Sequence, residues 1–388
     1  MTQPATRMQT IPPYFFAELG KRIARLRADG HDVIRMDMGS PDMPPAPHII
    51  EALVNSARDP SNHGYAPFGG TPSFCQAVAD HYQRRFDVEL DAENEVVGLI
   101  GSKEGLFNIV QSHVNPGEVV LVPDPGYPVY TTSARFAGGE VYHLPLIAEN
   151  DFLPDLDSIP PSALERAKLM WLNYPNNPTG AVADLDYFAK AIEFARAHDI
   201  LLCHDAPYTE VCFDEYLAPS LMQVDGAKDV AVEFNSLSKS HNMAGWRVGM
   251  AVGNERAIRA LYTLKSQIDT SQFRSIFDAG VTALEGDQSW LVERNAIYQL
   301  RRDMILEAIG QAGMSADTPR AALYVWASLP EGVISSMDYC SRMLEEIHVS
   351  ITPGVAFGDA GEGYVRLSLS SPTEKVEQAM ARVAEWKY

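Results

Sequence analysis

The sequence predicts an α/β protein: a large domain with a mostly parallel sheet between helices, plus a smaller α+β domain. Three observations point there. Four apolar runs, 119–122, 169–172, 200–203 and 230–234, have the length and composition of buried parallel strands. Between the second and third, Asp184 caps a helical pattern with Leu185, Phe188, Ile192 and Ala195 on one face. That is the crossover parallel neighbours require. From Trp290 onward the pattern changes to a long helix followed by short strands.

In chain order, Phe16, Leu19, Ile23 and Leu26 recur at helical spacing, and the Pro-rich stretch 41–47 reads as a linker. Gly101-Ser102-Lys103-Glu104-Gly105 opens the helical pattern of Leu106, Ile109 and Val110. The four strands follow. The long helix then runs through Leu300 and Ile309, short strands surround Tyr324 and Arg366, and a final helix covers roughly 373–386. The expected division places 49–286 in the large domain, and 1–48 with 287–388 in the small one.

Composition narrows the functional classes. With 388 residues, 46% of them hydrophobic, the chain can bury a substantial core. No apolar stretch approaches the ~20 residues of a membrane span, and the first thirty residues lack a signal-peptide core. A formal charge of −20 makes nucleic acid a poor partner. Cys75, Cys203, Cys212 and Cys340 show no paired spacing and fit a reducing cytoplasm. The ten histidines contain no His-Glu-x-x-His arrangement, so no metal site is expected. There is no internal repeat or low-complexity segment.

The chemistry gathers behind the strands. The first leads to Tyr127, the second to Asn177 in Asn177-Pro178-Thr179-Gly180, the third to Asp205 and Tyr208, and the fourth to Ser236 and Lys239. Ligands in open α/β sheets bind beyond the carboxyl ends of the strands, so these residues are expected to share a crevice. Lys239, flanked by small hydroxylated residues and followed by Arg247, suits an aldehyde cofactor bearing a phosphate. Burial and a neighbouring cation both favour its neutral amine. Ser236 and Arg247 would hold the phosphate, with the backbone N–H groups at Ser102 and Lys103 opening a helix toward it. Asp205 would keep a pyridine nitrogen protonated, Tyr208 and Asn177 would bond the ring's phenolic oxygen, and Tyr127 offers an aromatic face. Taken singly, each residue also has a structural reading. Asp205 could be a strand-end cap, Asn177 to Gly180 a turn, and Tyr127 a packing residue.

The ordered motifs carry a resemblance. Gly64-Tyr65-Ala66-Pro67, Ser102-Lys103, Tyr127, Asn177-Pro178-Thr179-Gly180, Asp205 with Tyr208, Ser236 with Lys239, Arg247, and Arg366 in Tyr364-Val365-Arg366-Leu367-Ser368 follow one another along the chain. In this the chain resembles the class I/II aminotransferases, which are fold type I pyridoxal-phosphate enzymes, over nearly its whole length. The resemblance implies that Lys239 is the Schiff-base lysine and proton shuttle, and that Arg366 binds the substrate α-carboxylate with help from the Gly39 backbone. It also implies that Tyr65 reaches the phosphate of a neighbouring subunit, hence a homodimer with shared active sites.

Within the class, the segments 12–18, 101–105 and 123–130 look most like the LL-diaminopimelate aminotransferase group. That would bring Tyr14 and Lys103 near the bound amino acid. Two segments depart from the pattern: Ser40 stands where an acidic or small polar residue is more usual, and Ala321-Ala322-Leu323 precedes Tyr324. The expected function is transfer of an amino group between an amino acid and a 2-oxo acid. The alternatives are β-elimination on the same cofactor and a non-enzymatic ligand-sensing module. A nicotinamide dehydrogenase is rejected, because no Gly-x-Gly-x-x-Gly follows a strand.

Overall fold

The computed structural model describes residues 2–9, 11 and 13–388, and Pro12 of the 12–18 motif lies outside the described residues. Its strands are β1 (Ile34–Arg35), β2 (Val96–Leu99), β3 (Val119–Asp124), β4 (Glu140–Pro145), β5 (Ala167–Leu172) and β6 (Leu201–Asp205). They continue as β7 (Ala231–Ser236), β8 (Gly249–Gly253), β9 (Tyr324–Ser328), β10 (Val349–Ser350), β11 (Thr352–Pro353) and β12 (Tyr364–Ser368). Seven form one sheet in the order β2-β8-β7-β6-β5-β3-β4. Strands β3 to β7 are parallel, whereas β8 runs antiparallel to both β7 and β2.

The four apolar runs read from the sequence are β3, β5, β6 and β7, with Ile200 and Val230 each falling one residue before the strand. Alternate side chains feed two apolar layers, as the pleat requires. Val119, Leu121, Met170 and Leu172 enter one, and Val120, Val122, Leu169 and Trp171 enter the other. Helices Pro72–Phe86, Leu185–Ala197 and Arg274–Glu285 cover the first face. Helices Ser102–His113, Val129–Phe136 and Glu255–Lys265 cover the second. The predicted linker is shorter than expected at its far end, because Pro47 already begins the helix Pro47–Ala57.

A further apolar cluster joins β9 and β12 to helices Trp290–Gln311, Ser336–Glu346 and Thr373–Glu385. Here β12 pairs antiparallel with both β9 and β11, while β1 and β10 form a short parallel pair. Tyr208, Val211 and Phe213, from the segment after β6, pack into this cluster and tie it to the main sheet. No described helix is long and apolar enough to cross a membrane.

The sheet also holds a polar knot. Glu233 on β7 is fully buried and faces His204 on β6, whose Nδ1 lies 2.9 Å from its carboxylate. Tyr82 and Ser220 hydroxyls and the Leu221 N–H donate to the same carboxylate. Burial pushes its pKa up, but His204 and the hydroxyl donors outweigh that and hold it below the ordinary value.

Asp184 caps Leu185–Ala197 as the sequence suggests, its side chain accepting from the Tyr187 N–H at 2.8 Å. Asp184→Ala should therefore lower stability by about 1 kcal/mol. Chemical denaturation of the two proteins, with unchanged slope, checks this.

Candidate active site

Because β3, β5, β6 and β7 point the same way, the segments that leave them lie along one edge of the sheet. A cavity of about 390 Å³ opens there. Tyr127, Asn177, Asp205, Tyr208, Ser236 and Lys239 all line it, as the strand-by-strand reading anticipates. So do Ser102, Lys103 and Arg247, and from outside the seven-stranded sheet Tyr14, Gly39 and Arg366. Tyr65 does not: it is 91% exposed on the chain's surface.

Asp205 ends β6 at the back of the cavity. Tyr130 donates to its Oδ2 at 2.7 Å, while Oδ1 has no hydrogen-bond partner among the described residues. Among the described residues no backbone N–H bonds either oxygen, so the carboxyl does not serve as a strand cap. Burial pushes its pKa up to about 6, against the opposing pull of the Tyr130 hydrogen bond and of His204 and Lys239. A cationic N–H placed at Oδ1 would reverse that shift.

Lys239 lies on the short helix Leu237–Ser240, whose N-terminus is capped by Ser236. Its Nζ donates to the Gly39 carbonyl. Burial first, then the charges of Arg366 and Arg247, lower its pKa to about 8. A Cβ at Gly39 would sit 2.2 Å from the Tyr324 hydroxyl, so a larger residue there would have to displace that ring. That hydroxyl lies 2.8 Å from the Tyr208 hydroxyl, so the two tyrosines form one wall.

The opposite end of the cavity is an anion cradle. Helix Ser102–His113 presents its free N-terminal N–H groups. Arg247 packs against Gly101 so closely that a Cβ at 101 would lie 2.1 Å from its Nη2. Its Nη1 donates to the Ala244 carbonyl at 2.7 Å and to the Ser238 hydroxyl at 3.4 Å. The Ser236 hydroxyl is engaged with Val248 O and the Ser238 N–H, so Ser238 joins Ser236 as a second hydroxyl lining the site.

Arg366 is the third cation. It is buried, with Nη1 donating to Asn177 Oδ1 at 2.7 Å and Nη2 to Asp37 O at 2.8 Å. Rings of Tyr324 and Phe357 lie 4.2 and 4.6 Å from the guanidinium carbon. No carboxylate pairs with it among the described residues, and its Nε is without a partner. At the mouth, the Lys103 ammonium stands 5.1 Å from the Tyr14 ring centre and 5.6 Å from that of Tyr127.

Sequence reading missed the supports of these groups. Tyr130, stacked on Trp171 at 4.8 Å and 19°, aims its hydroxyl at Asp205. Asn173 bonds the backbone of both Asp205 and Asn177, at 2.6 and 2.8 Å. Tyr130 lies three residues after Tyr127 at the start of a helix, a spacing that could have flagged it.

The sequence model for "Aminotransferase class I and II" matches residues 31–383. The chain belongs to the class I and II aminotransferases. It is 49% identical over 381 residues to an LL-diaminopimelate aminotransferase of Moorella thermoacetica, covering 98% of this chain and 97% of that one. A Dehalococcoides mccartyi protein of the same name is 47% identical, covering 98% of each. Among solved structures, substrate-bound BacF from Bacillus subtilis superposes with a TM-score of 0.96 at 38% identity, over 99% of this chain and 98% of that one. This aminotransferase is therefore a fold type I enzyme dependent on pyridoxal phosphate. The donor set fits that cofactor: an amine of depressed pKa, a buried carboxylate oxygen lacking a donor, and an anion cradle share one cavity.

The lowered pKa of Lys239 has a direct consequence. Below about 8 its amine is protonated and inert, and above that it is neutral and nucleophilic. In cofactor-free aminotransferase, reductive alkylation of Lys239 with a small aldehyde, followed by peptide mapping, should rise with a midpoint near pH 8. Surface lysines should follow a midpoint near 10.4.

Proposed function

We propose that this aminotransferase moves the amino group of LL-diaminopimelate to 2-oxoglutarate in two half-reactions, with ping-pong kinetics. The observation that carries the reaction class is the meeting of Lys239, Asp205 and the carboxylate-free Arg366 in one cavity. The donor is proposed from the two relatives that bear the LL-diaminopimelate name and match almost end to end.

Bound pyridoxal phosphate supplies an aldehyde to take up the amino group and a ring to accept electrons. The residues then divide the work. Ser102, Ser236, Ser238 and Arg247 would hold the phosphate together with the N-terminus of helix Ser102–His113. Asp205, positioned by Tyr130 and Asn173, would keep the ring nitrogen protonated, and Tyr208, Asn177 and Tyr127 would help to hold the ring. Arg366 grips the substrate α-carboxylate through its planar fork, aided by the Gly39 backbone. Lys239 would take up the proton lost from the substrate Cα, a task suited to an amine with pKa near 8. Tyr14 and Lys103 stand at the mouth, on the side where the substrate's far end would lie.

The proposal includes a homodimer in which Tyr65 reaches the partner's phosphate. Exposed apolar side chains support it. Tyr65 and Phe68 lie in a segment whose neighbours touch Tyr262 and Phe273, themselves exposed, through Gly69 and His63. Gln272, beside Phe273, donates to Leu99 O close to the anion cradle. Such a patch is a subunit-interface signature. We further propose that 49–286 forms the large domain and that 1–48 with 287–388 forms the small one carrying Arg366. The free cysteines suit a cytoplasmic setting.

A panel of amino donors against 2-oxoglutarate and pyruvate tests the substrate. LL-diaminopimelate should be the preferred donor, and its failure beside working alternatives would remove the narrower assignment while leaving the reaction class. Because both substrates carry an α-carboxylate, Arg366→Lys should raise KM for donor and acceptor alike. The expected loss is about 1.5–3 kcal/mol, or roughly 10- to 150-fold. Steady-state kinetics with each substrate varied in turn measure it.

A further inference from the structure

Arg294 is a buried cation that the reaction as described does not use. It sits in the first turns of helix Trp290–Gln311, 3% exposed, and makes no ion pair with a carboxylate among the described residues. The carboxylate whose charge acts on it, Glu210, is paired instead with Arg85 at 3.1 Å. Burial lowers the Arg294 pKa to about 10, so it stays charged at neutral pH.

Its five N–H groups are spent on carbonyl oxygens. Nη1 donates to Lys239 O at 3.2 Å and to Ser240 O. Nη2 donates to Glu210 O, which also accepts from Asn295 Nδ2 at 3.0 Å. Nε and Nη2 both bond Asn295 Oδ1, at 3.1 and 2.8 Å, which fixes the plane of the fork. Helix Leu237–Ser240 has only four residues, so its last carbonyls lack intrahelical donors. Two of those carbonyls are the ones Arg294 takes. Glu210, on the other side, closes the segment that carries Asp205 and Tyr208.

We infer that Arg294 is a positioning residue for Lys239. It clamps the peptide of Lys239 to the segment bearing Asp205 and Tyr208, and so sets the amine against the groups it must work with. The inference rests on Lys239 being the cofactor-linked lysine. A rigid guanidinium can bond carbonyls on two sides at once, whereas an ammonium cannot reproduce that fork. Loss of alignment should appear in the chemical step more than in substrate binding, since misplacement by 1 Å can cost about 100-fold.

The test uses holoenzyme of the parent, Arg294→Lys, Asn295→Ala and Arg302→Lys. Arg302 is equally buried in the same helix but bonds Asp214, Asp303 and Pro319 O, away from the cavity, and so controls for plain structural damage. Borohydride reduction with peptide mapping comes first: label at a position other than Lys239 overturns the proposed function itself. With Lys239 labelled, the pH titration of the bound cofactor's visible absorbance is recorded together with kcat and KM. Arg294→Lys should shift the titration midpoint and lower kcat by roughly 10- to 100-fold with KM little changed. Asn295→Ala should shift the midpoint in the same direction by less, and Arg302→Lys should leave it in place. A parent-like titration and kcat in Arg294→Lys, or an equal shift in Arg302→Lys, overturns the inference. If Arg294→Lys yields no holoenzyme, Asn295→Ala decides it, and an unshifted titration there overturns the inference.

Discussion

The common direction of β3, β5, β6 and β7 is the constraint on which the rest depends. Parallel neighbours must be joined by crossovers that return the chain to the far edge, so every strand delivers its last residue to the same side. Asp205 is such a last residue, and Tyr127, Asn177 and Lys239 each follow within a few positions. Residues scattered over more than a hundred positions of sequence thereby meet in one cavity. The apolar layers on both faces hold the strands in register and, through them, the chemistry at their ends.

The site is built at the expense of local stability. Asp205, Lys239 and Arg366 are all kept from water to some degree, and none has a full ionic partner. Unpaired charge of this kind is costly in a protein interior. The surroundings limit that cost without removing it. A tyrosine hydroxyl serves Asp205, a backbone carbonyl serves Lys239, and aromatic faces line Arg366. Each charge is thus left partly unsatisfied in a side chain that lines the cavity, where a ligand can complete it. The pKa shifts of the amine and the carboxyl record the same incompleteness.

Legibility followed burial. β3, β5, β6 and β7 stand out in sequence because both of their faces are covered, which leaves uninterrupted apolar runs. β4 escaped because most of its side chains are exposed or half-exposed, with Leu144 alone fully inside, and β8 because glycines bound it. The residues that touch the cavity were readable from their places behind strands. Those that act through another residue were not: Tyr130 and Asn173 serve Asp205, and Arg294 reaches Lys239 from 55 positions away. Such contacts leave no periodic trace. Tyr65 was readable as a motif, yet its exposure on the isolated chain follows from nothing in the local pattern.

The reversed direction of β8 shapes the segment between Ser236 and Gly249. Those two residues are ladder partners, as are Leu99 and Gly249, so the intervening stretch leaves and re-enters the sheet at the same rim. It is a closed ring, and it carries Lys239 near one end and Arg247 near the other. A parallel strand in that place would have carried Arg247 to the opposite rim. The circumference of the ring therefore works as a ruler between the two functions, and this stretch is where an insertion or deletion would be tolerated least.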